Sequence, residues 1–332
     1  MPETHGRRLR ILTWHIHGNY LYYLSQVPHD FYIVTRPDAA PGYAPLGSGL
    51  PWGDNIHEIS ADRLRDLRLD CVLYQSRQAY LEDRINMLSA TQRRLPQLYL
   101  EHDPPQQHPT NTVHWFQEPA GTLVHVTAFN ALMWDNGCTP TAIVEHGVRL
   151  PPNVAYQGTT PRGIVVVNHL ARRGRRLGAD VFAQLRASVP LDLVGMDAQA
   201  AGGIGEILNL ELPAFMARYR FFFNPIRYTS LGLAVIEAMM AGVPVVGLAT
   251  TEMATVIENG ANGYVDTRLD VLADVMQELL ADPDLARAWG REARLRAMQR
   301  FGIERFVRDW MAVFAAAAGS GALAREPLQE RS

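Results

Sequence analysis

The chain has 332 residues, which at roughly 150 residues per domain suggests two domains. Its 47% hydrophobic and 20% charged content suits sizeable soluble cores, and excludes a disordered, collagen-like or coiled-coil chain. Lys plus Arg number 31 against 34 for Asp plus Glu, a formal charge of -3; this argues against a broad cationic face for nucleic acid while allowing a local basic site. Cys71 and Cys138, the two cysteines, make neither a disulfide scaffold nor a four-cysteine zinc site.

The opening MPETHGRRLRILTWHIHG is basic, but Trp14, His15 and His17 interrupt the apolar run that a leader would need. Near the end, WMAVFAAAAGSGALA is too short and alanine-rich to span a bilayer. The expectation is a cytoplasmic protein, with peripheral contact to anionic lipid left open through RRGRR at 172–176. Oligomeric state is not encoded in any of these features.

In chain order, RILTW (10–14) reads as a strand ending in the polar cluster HIHGN. YLYYLSQV (20–27) reads as helix and DFYIVT (30–35) as strand. The Pro- and Gly-rich stretch 37–55 reads as loop. A helix is expected over 60–69 with Ser60 as cap, then the strand DCVLYQS (70–76), helix over 77–94 and the strand LPQLYLEH (95–102). Strand and helix follow again in VHVTAFNALMWDNGCTP, where Thr127 can cap the helix. The section 147–163, marked by proline and glycine, is the expected domain joint. Beyond it GIVVVN, LDLVG, RYRFFFNP and VPVVGLA read as strands, and GADVFAQLRA and LGLAVIEAMMAG as helices. Residues 269–318 are mainly helical and amphipathic. This alternation predicts an α/β protein with two parallel-sheet, Rossmann-like α/β/α domains and a cleft between them.

The most informative segment runs from 223 to 265. Thr229 or Ser230 can cap the helix that follows, and Gly232 leaves its end open, so amides from about Leu231 to Leu233 can face a phosphate. Ser230 and Glu237 are seven residues apart, nearly two helical turns, so Glu237 would lie on the same face some 10 Å along. A carboxylate so placed can accept two ribose hydroxyls. One helix would read both the phosphate and the sugar of a nucleotide.

LGLAVIEAMMAGVPVV and the later TEMATVIENGANGYV resemble the nucleotide-sugar-binding region of retaining glycosyltransferase family 4, whose fold is called GT-B. The resemblance is clear over about 120–315 and weaker over 8–119. It implies that Glu237 holds the donor ribose. It also puts Thr229 where the family carries the first Glu of its paired-Glu motif, so a hydroxyl replaces a charge beside the donor sugar. Ser230-Leu231 replaces the family's Gly-Phe. GIVVVNHLARRGRRLGADVF resembles the family's basic loop, with His169 near its Arg. Arg172, Arg173, Arg175 or Arg176 can stand for its basic pair, Arg173 and Arg176 being preferred for the diphosphate. Gly18 in HIHGN matches a loop that approaches the donor phosphates, and His102 in YLEHDPP matches a histidine near the reacting sugar.

The domains implied are 1–150 on the acceptor side, 151–302 binding the nucleotide sugar, a helix 303–318 returning to the first domain through Trp310 and Phe314, and a flexible tail 319–332. The activity implied is metal-independent, retaining transfer of a hexosyl unit from a UDP- or GDP-sugar to a hydroxyl-bearing acceptor in glycan or polysaccharide synthesis. In this reading His102 and Thr229 are the catalytic-site residues, and no cofactor takes part beyond the donor itself. Gly18, His169, Arg173, Arg176, Ser230, Leu231, Gly232, Leu233 and Glu237 contact the donor. A non-catalytic nucleotide-sugar-binding subunit or sensor, and a GT-B sugar-nucleotide epimerase, are the alternatives.

Overall fold

The structure, a computed structural model, describes residues 7–323, with side chains through 319. The chain divides into two compact units: residues 1–145 with 303 onward, and residues 146–302. The expected tail begins inside a helix that runs on to Leu323; residues 324–332 lie outside the described residues.

The first unit is built on β1 (Arg10–Thr13), α1 (Gly18–Leu24), β2 (Asp30–Thr35), β3 (Ile56–Ser60), β4 (Cys71–Tyr74), α2 (Arg84–Asn86), β5 (Gln97–Glu101), β6 (Thr122–His125), α3 (Ala128–Met133) and β7 (Thr141–Ile143). Its strands form one parallel sheet in the order β3-β2-β1-β4-β5-β6-β7. β4 and β5 are buried at every position, as central strands covered on both faces must be. β3 has no counterpart in the sequence reading. IHEIS is a half-exposed edge strand without apolar alternation, so periodicity carries no signal for it.

Two expected helices are broken pieces. Residues 60–69 give only a 3-10 turn, Ala61–Asp66, and Ser60 makes no side-chain cap. Within 77–94 the chain makes a π-helical turn (Ala79–Asp83), α2 and a 3-10 turn (Gln92–Arg94). The π turn ends at buried Asp83, which accepts from Tyr43 Oη at 2.6 Å and from Arg36 at 3.2 Å. These two bonds tie the 37–55 loop to the turn.

The C-terminal helix, Ile303–Leu323, belongs to this unit. Phe306, Trp310 and Phe314 are fully buried. Trp310 Nε1 donates to Tyr20 Oη at 3.1 Å, and the Phe314 ring meets His29 and Phe31 at centroid distances of 5.5 and 6.2 Å.

The second unit runs through β8 (Thr160–Val166), α4 (Leu170–Arg173), α5 (Ala179–Arg186), β9 (Leu191–Val194), α6 (Leu212–Met216), β10 (Tyr219–Asn224), α7 (Leu233–Ala241), β11 (Val245–Leu248), α8 (Met253–Val256), β12 (Gly263–Asp266), α9 (Leu269–Ala281) and α10 (Pro283–Phe301). Its parallel sheet has the order β12-β11-β10-β8-β9. β10 is wholly buried, including Arg220, whose guanidinium donates to the carbonyls of Gly158, Leu279 and Leu280 at 2.9–3.2 Å. A buried cation thus caps the carboxyl end of α9, where the helix dipole is negative. α10 starts on Asp282, which accepts from the amides of Asp284 and Leu285, with Pro283 in the first turn. No helix among the described residues is long and apolar enough to cross a membrane.

Replacing Trp310 with Ala removes a filled core volume and Tyr20's donor. The expected loss is about 3–5 kcal/mol, read from urea denaturation followed by circular dichroism.

Candidate functional site

In each sheet the strand order reverses once, between β8 and β10 in the second unit and between β1 and β4 in the first. Loops leaving the carboxyl ends of such strand pairs diverge to opposite sides and leave a crevice there.

In the second unit the loops after β8 and β9 are stitched together. His169 N donates to Met196 O at 2.7 Å, and Met196 N to Asn168 Oδ1 at 2.8 Å. His169 and Asp197 both sit in the left-handed region (φ 54° and 59°), and their side chains approach to 4.0 Å. Two non-glycine residues held there by cross-loop bonds mark a strained rim. His169 and Arg173 share the turn of α4, with Arg173 N donating to His169 O at 2.9 Å.

The basic loop is then clamped onto the loop after β10. Arg227 donates twice to Asp180, at 2.6 and 2.8 Å, and once to Arg175 O at 2.7 Å. The amides of Arg227 and Tyr228 both donate to Arg176 O, at 3.0 and 3.3 Å. Gly178 (φ 84°) completes the contact: a Cβ there would lie 2.0 Å from Pro225 O. Hydrogen bonds from Arg227 hold the Asp180 carboxyl down to about 2. Arg175 also reaches that carboxylate, at 2.5 Å, so Asp180 is shared by two guanidinium groups.

The clamp sets Thr229–Gly232 beside the basic loop, but the helix itself begins later than its sequence suggests. α7 starts at Leu233, its N-cap is Gly232 in extended conformation, and no side chain caps it. Thr229 and Ser230 are therefore not its caps, and Ser230 does not share a helical face with Glu237. The first-turn amides start at Leu233; Leu231 precedes the helix and is buried, as is Ser230. Glu237 lies in the second turn, 4% exposed. A Cβ at Gly232 would meet nothing within 4 Å, and its φ of -68° suits any residue. Neither backbone conformation nor packing explains this glycine; it leaves open room before the amino end of α7.

In the first unit, Gly18 opens α1, and His17 just before it lays its ring 4.3 Å from that of His102. A Cβ at Gly18 would press on His15 Nε2 at 3.3 Å. His102 follows β5, and its Nε2 lies 3.0 Å from Oε1 of buried Gln75, the residue after β4. Beside it, buried Glu101 accepts from Asp103 N at 2.9 Å and faces His114 Nε2 at 3.1 Å. Phe116 N donates to His114 Nδ1, so the ring's proton is on Nε2, directed at Glu101.

Burial pushes the Glu101 carboxyl up to about 8 and the His114 imidazole down to about 3. Gln75, Asp180, Arg227 and the Glu101–His114 pair escaped the sequence reading. Asp180 and Arg227 lie 47 positions apart, and no local spacing announces such a partner.

Gly18 and His102 thus gather in one unit, and His169, Arg173, Arg176, Thr229, Ser230, Leu231, Gly232, Leu233 and Glu237 in the other. Two parallel-sheet α/β domains of this kind are the GT-B fold. HepE of Anabaena in complex with UDP-glucose superposes with a TM-score of 0.66 at 14% identity, covering 93% of this chain and 100% of that one. Sucrose-phosphate synthase from Thermosynechococcus elongatus gives 0.64 at 15% identity, covering 96% and 98%.

The profile of the family "Glycosyl transferases group 1" matches residues 204–296, from the loop after β9 into α10. Among curated proteins, the lipopolysaccharide core biosynthesis mannosyltransferase LpcC of Rhizobium leguminosarum bv. viciae is 28% identical over 202 residues, 50% of this chain and 57% of that protein. The N-acetyl-alpha-D-glucosaminyl L-malate synthase of Bacillus anthracis is 33% identical over 87 residues, 26% and 23% of the two chains. The chain thus spans about half the length, or less, of these curated relatives.

The Glu101–His114 pair has a pH signature. Glu101, raised from 4.5 to about 8, makes stability fall as pH rises through that window, because the folded state holds the proton longer. His114, lowered from 6.5 to about 3, makes stability rise from 3 to 6.5. The two oppose each other between 4.5 and 6.5, so a net decline is expected from 6.5 to 8. Glu101→Gln should abolish that decline, measured as urea midpoints across the same pH range.

Proposed function

We propose that this chain is a retaining glycosyltransferase that moves a hexosyl unit from a nucleoside-diphosphate sugar to a hydroxyl-bearing acceptor in glycan or polysaccharide synthesis. The observation that carries the reading is the uncapped amino end of α7 at Gly232, clamped beside an arginine-rich loop at the strand reversal of the second sheet. Partial positive charge from helix amides and full charge from guanidinium groups suit a diphosphate. Arg173 and Arg176 are assigned to it, with His169 at the rim and Glu237 to the ribose hydroxyls. Leu231 and Leu233 contribute backbone, and Ser230 a hydroxyl beside the phosphates.

In this mechanism the nucleoside diphosphate leaves as the acceptor attacks the same face of the sugar. Growing negative charge on the leaving oxygen is met by fixed dipoles and arginines that need no reorganisation. These groups supply the charge that a divalent ion provides elsewhere, so the reaction is assigned as metal-independent. His102 orients the acceptor or sugar hydroxyl in the first unit, where Gly18 lets the chain approach closely. Thr229 offers its hydroxyl to the donor sugar. UDP-sugars are the first donors to test, because the HepE structure holds UDP-glucose; GDP-sugars are the second. Thr229 also favours one other reading, a nucleotide-sugar-binding subunit, since a hydroxyl replaces a carboxylate at that position.

Calorimetric titration with UDP-glucose, UDP-N-acetylglucosamine and GDP-mannose tests the donor site. Saturable binding is expected, and Glu237→Ala should weaken it by about 10- to 100-fold, the range for hydrogen bonds to a charged group. Unchanged affinity in a folded variant would remove Glu237 from the site. Transfer to an acceptor separates the enzyme from the binding subunit, which would bind donor without turnover.

A further inference from the structure

We propose that Gln75 is a positioning residue that locks His102 in one tautomer, with the ring proton on Nε2 and the lone pair on Nδ1. Gln75 is 5% exposed and bridges three elements at the rim of the first sheet. Its Nε2 lies 2.8 Å from Thr13 Oγ1 and 3.2 Å from Trp14 O. Trp14 O is a carbonyl and can only accept, so the amide's NH2 must face β1. Its Oε1 therefore faces His102 Nε2 at 3.0 Å, and since a carbonyl oxygen only accepts, the imidazole must donate from Nε2. In water a neutral imidazole exchanges between two tautomers; here one of them would leave a buried carbonyl facing a lone pair.

The ring is held on its faces as well. His17 and Tyr20 stand edge-on to it at centroid distances of 4.3 and 4.8 Å, and Tyr20 is itself fixed by the Trp310 indole at 3.1 Å. Among the described residues of the first unit, His17 from the loop after β1 and Tyr20 from α1 are titratable groups packed against His102. Its sequence neighbour Glu101 is turned onto His114 and Asp103 N instead.

The choice of a neutral amide has a chemical consequence. A carboxylate in that place would orient the ring equally well but would favour its protonated form, which has no lone pair to offer. An amide fixes the orientation and adds no negative charge that would favour the imidazolium, so Nδ1 keeps acceptor character toward a hydroxyl group. This last consequence rests on the transferase reading; the tautomer does not.

Long-range 1H–15N correlation spectra of the full chain, with His102 assigned by its loss in His102→Asn, read the tautomer directly. The expected result is a predominantly Nε2-protonated neutral ring; an Nδ1-protonated ring or an even mixture in the wild-type chain overturns the proposal. In Gln75→Met, close in volume, the two forms should mix while the fold is kept, as judged by circular dichroism and Tm. With a donor and acceptor in hand, kcat should fall on the order of tenfold or more with donor KM little changed. A folded Gln75→Met variant with its tautomer unaltered also overturns the proposal. If that variant does not fold, the wild-type spectrum decides alone. Absence of transfer activity in the wild type would instead remove the transferase reading and leave the spectroscopic outcome standing.

Discussion

An α-helix leaves its first amides without partners inside the helix, and the second unit leaves those of α7 without a side-chain cap as well. The surrounding architecture supports that end. Parallel strands deliver the loops after β8 and β10 to one edge of the sheet, and Gly178 lets the two loops touch backbone to backbone. Asp180 and Arg227 then fasten them with paired, charge-assisted bonds. The left-handed conformations at His169 and Asp197 belong to the same arrangement, since their strain is held by bonds between the loops after β8 and β9.

The first unit solves a different problem, the stable burial of polar groups beneath a rim of histidines. Gln75 is saturated by Thr13, Trp14 and His102. Glu101 and His114 face each other below it, and burial drives both toward their neutral forms. Networks of this kind define side-chain geometry at a level that apolar packing does not, because each donor has one acceptor that satisfies it.

Strands with continuous apolar runs, such as CVLY and YRFFFN, were legible because a parallel sheet covered on both faces demands such runs. Thr127 was legible as a cap, and it does accept from Asn130 N. The strand at 56–60 was not, because an exposed edge needs no alternation. Nor was the late start of α7, since Thr229 and Ser230 have good capping chemistry that the clamp at Arg227 and Tyr228 overrides. The helix over 77–94 broke where Asp83 was drawn inward to Tyr43 and Arg36, partners 40 and 47 positions away. In each case the competing interaction was tertiary, and local sequence carries no trace of it. The candidate site divides the same way: Glu237 and the arginines lie in readable motifs, whereas Asp180, Arg227 and Gln75 act through distant contacts.

The first unit is discontinuous, and this orders events during synthesis. Residues 146–302 are contiguous and can close their sheet as soon as α10 has left the ribosome. The aromatic surface of Tyr20, His29 and Phe31 is completed only by Phe306, Trp310 and Phe314. The nascent amino-terminal sheet therefore waits, with greasy rings uncovered, through translation of the entire second unit.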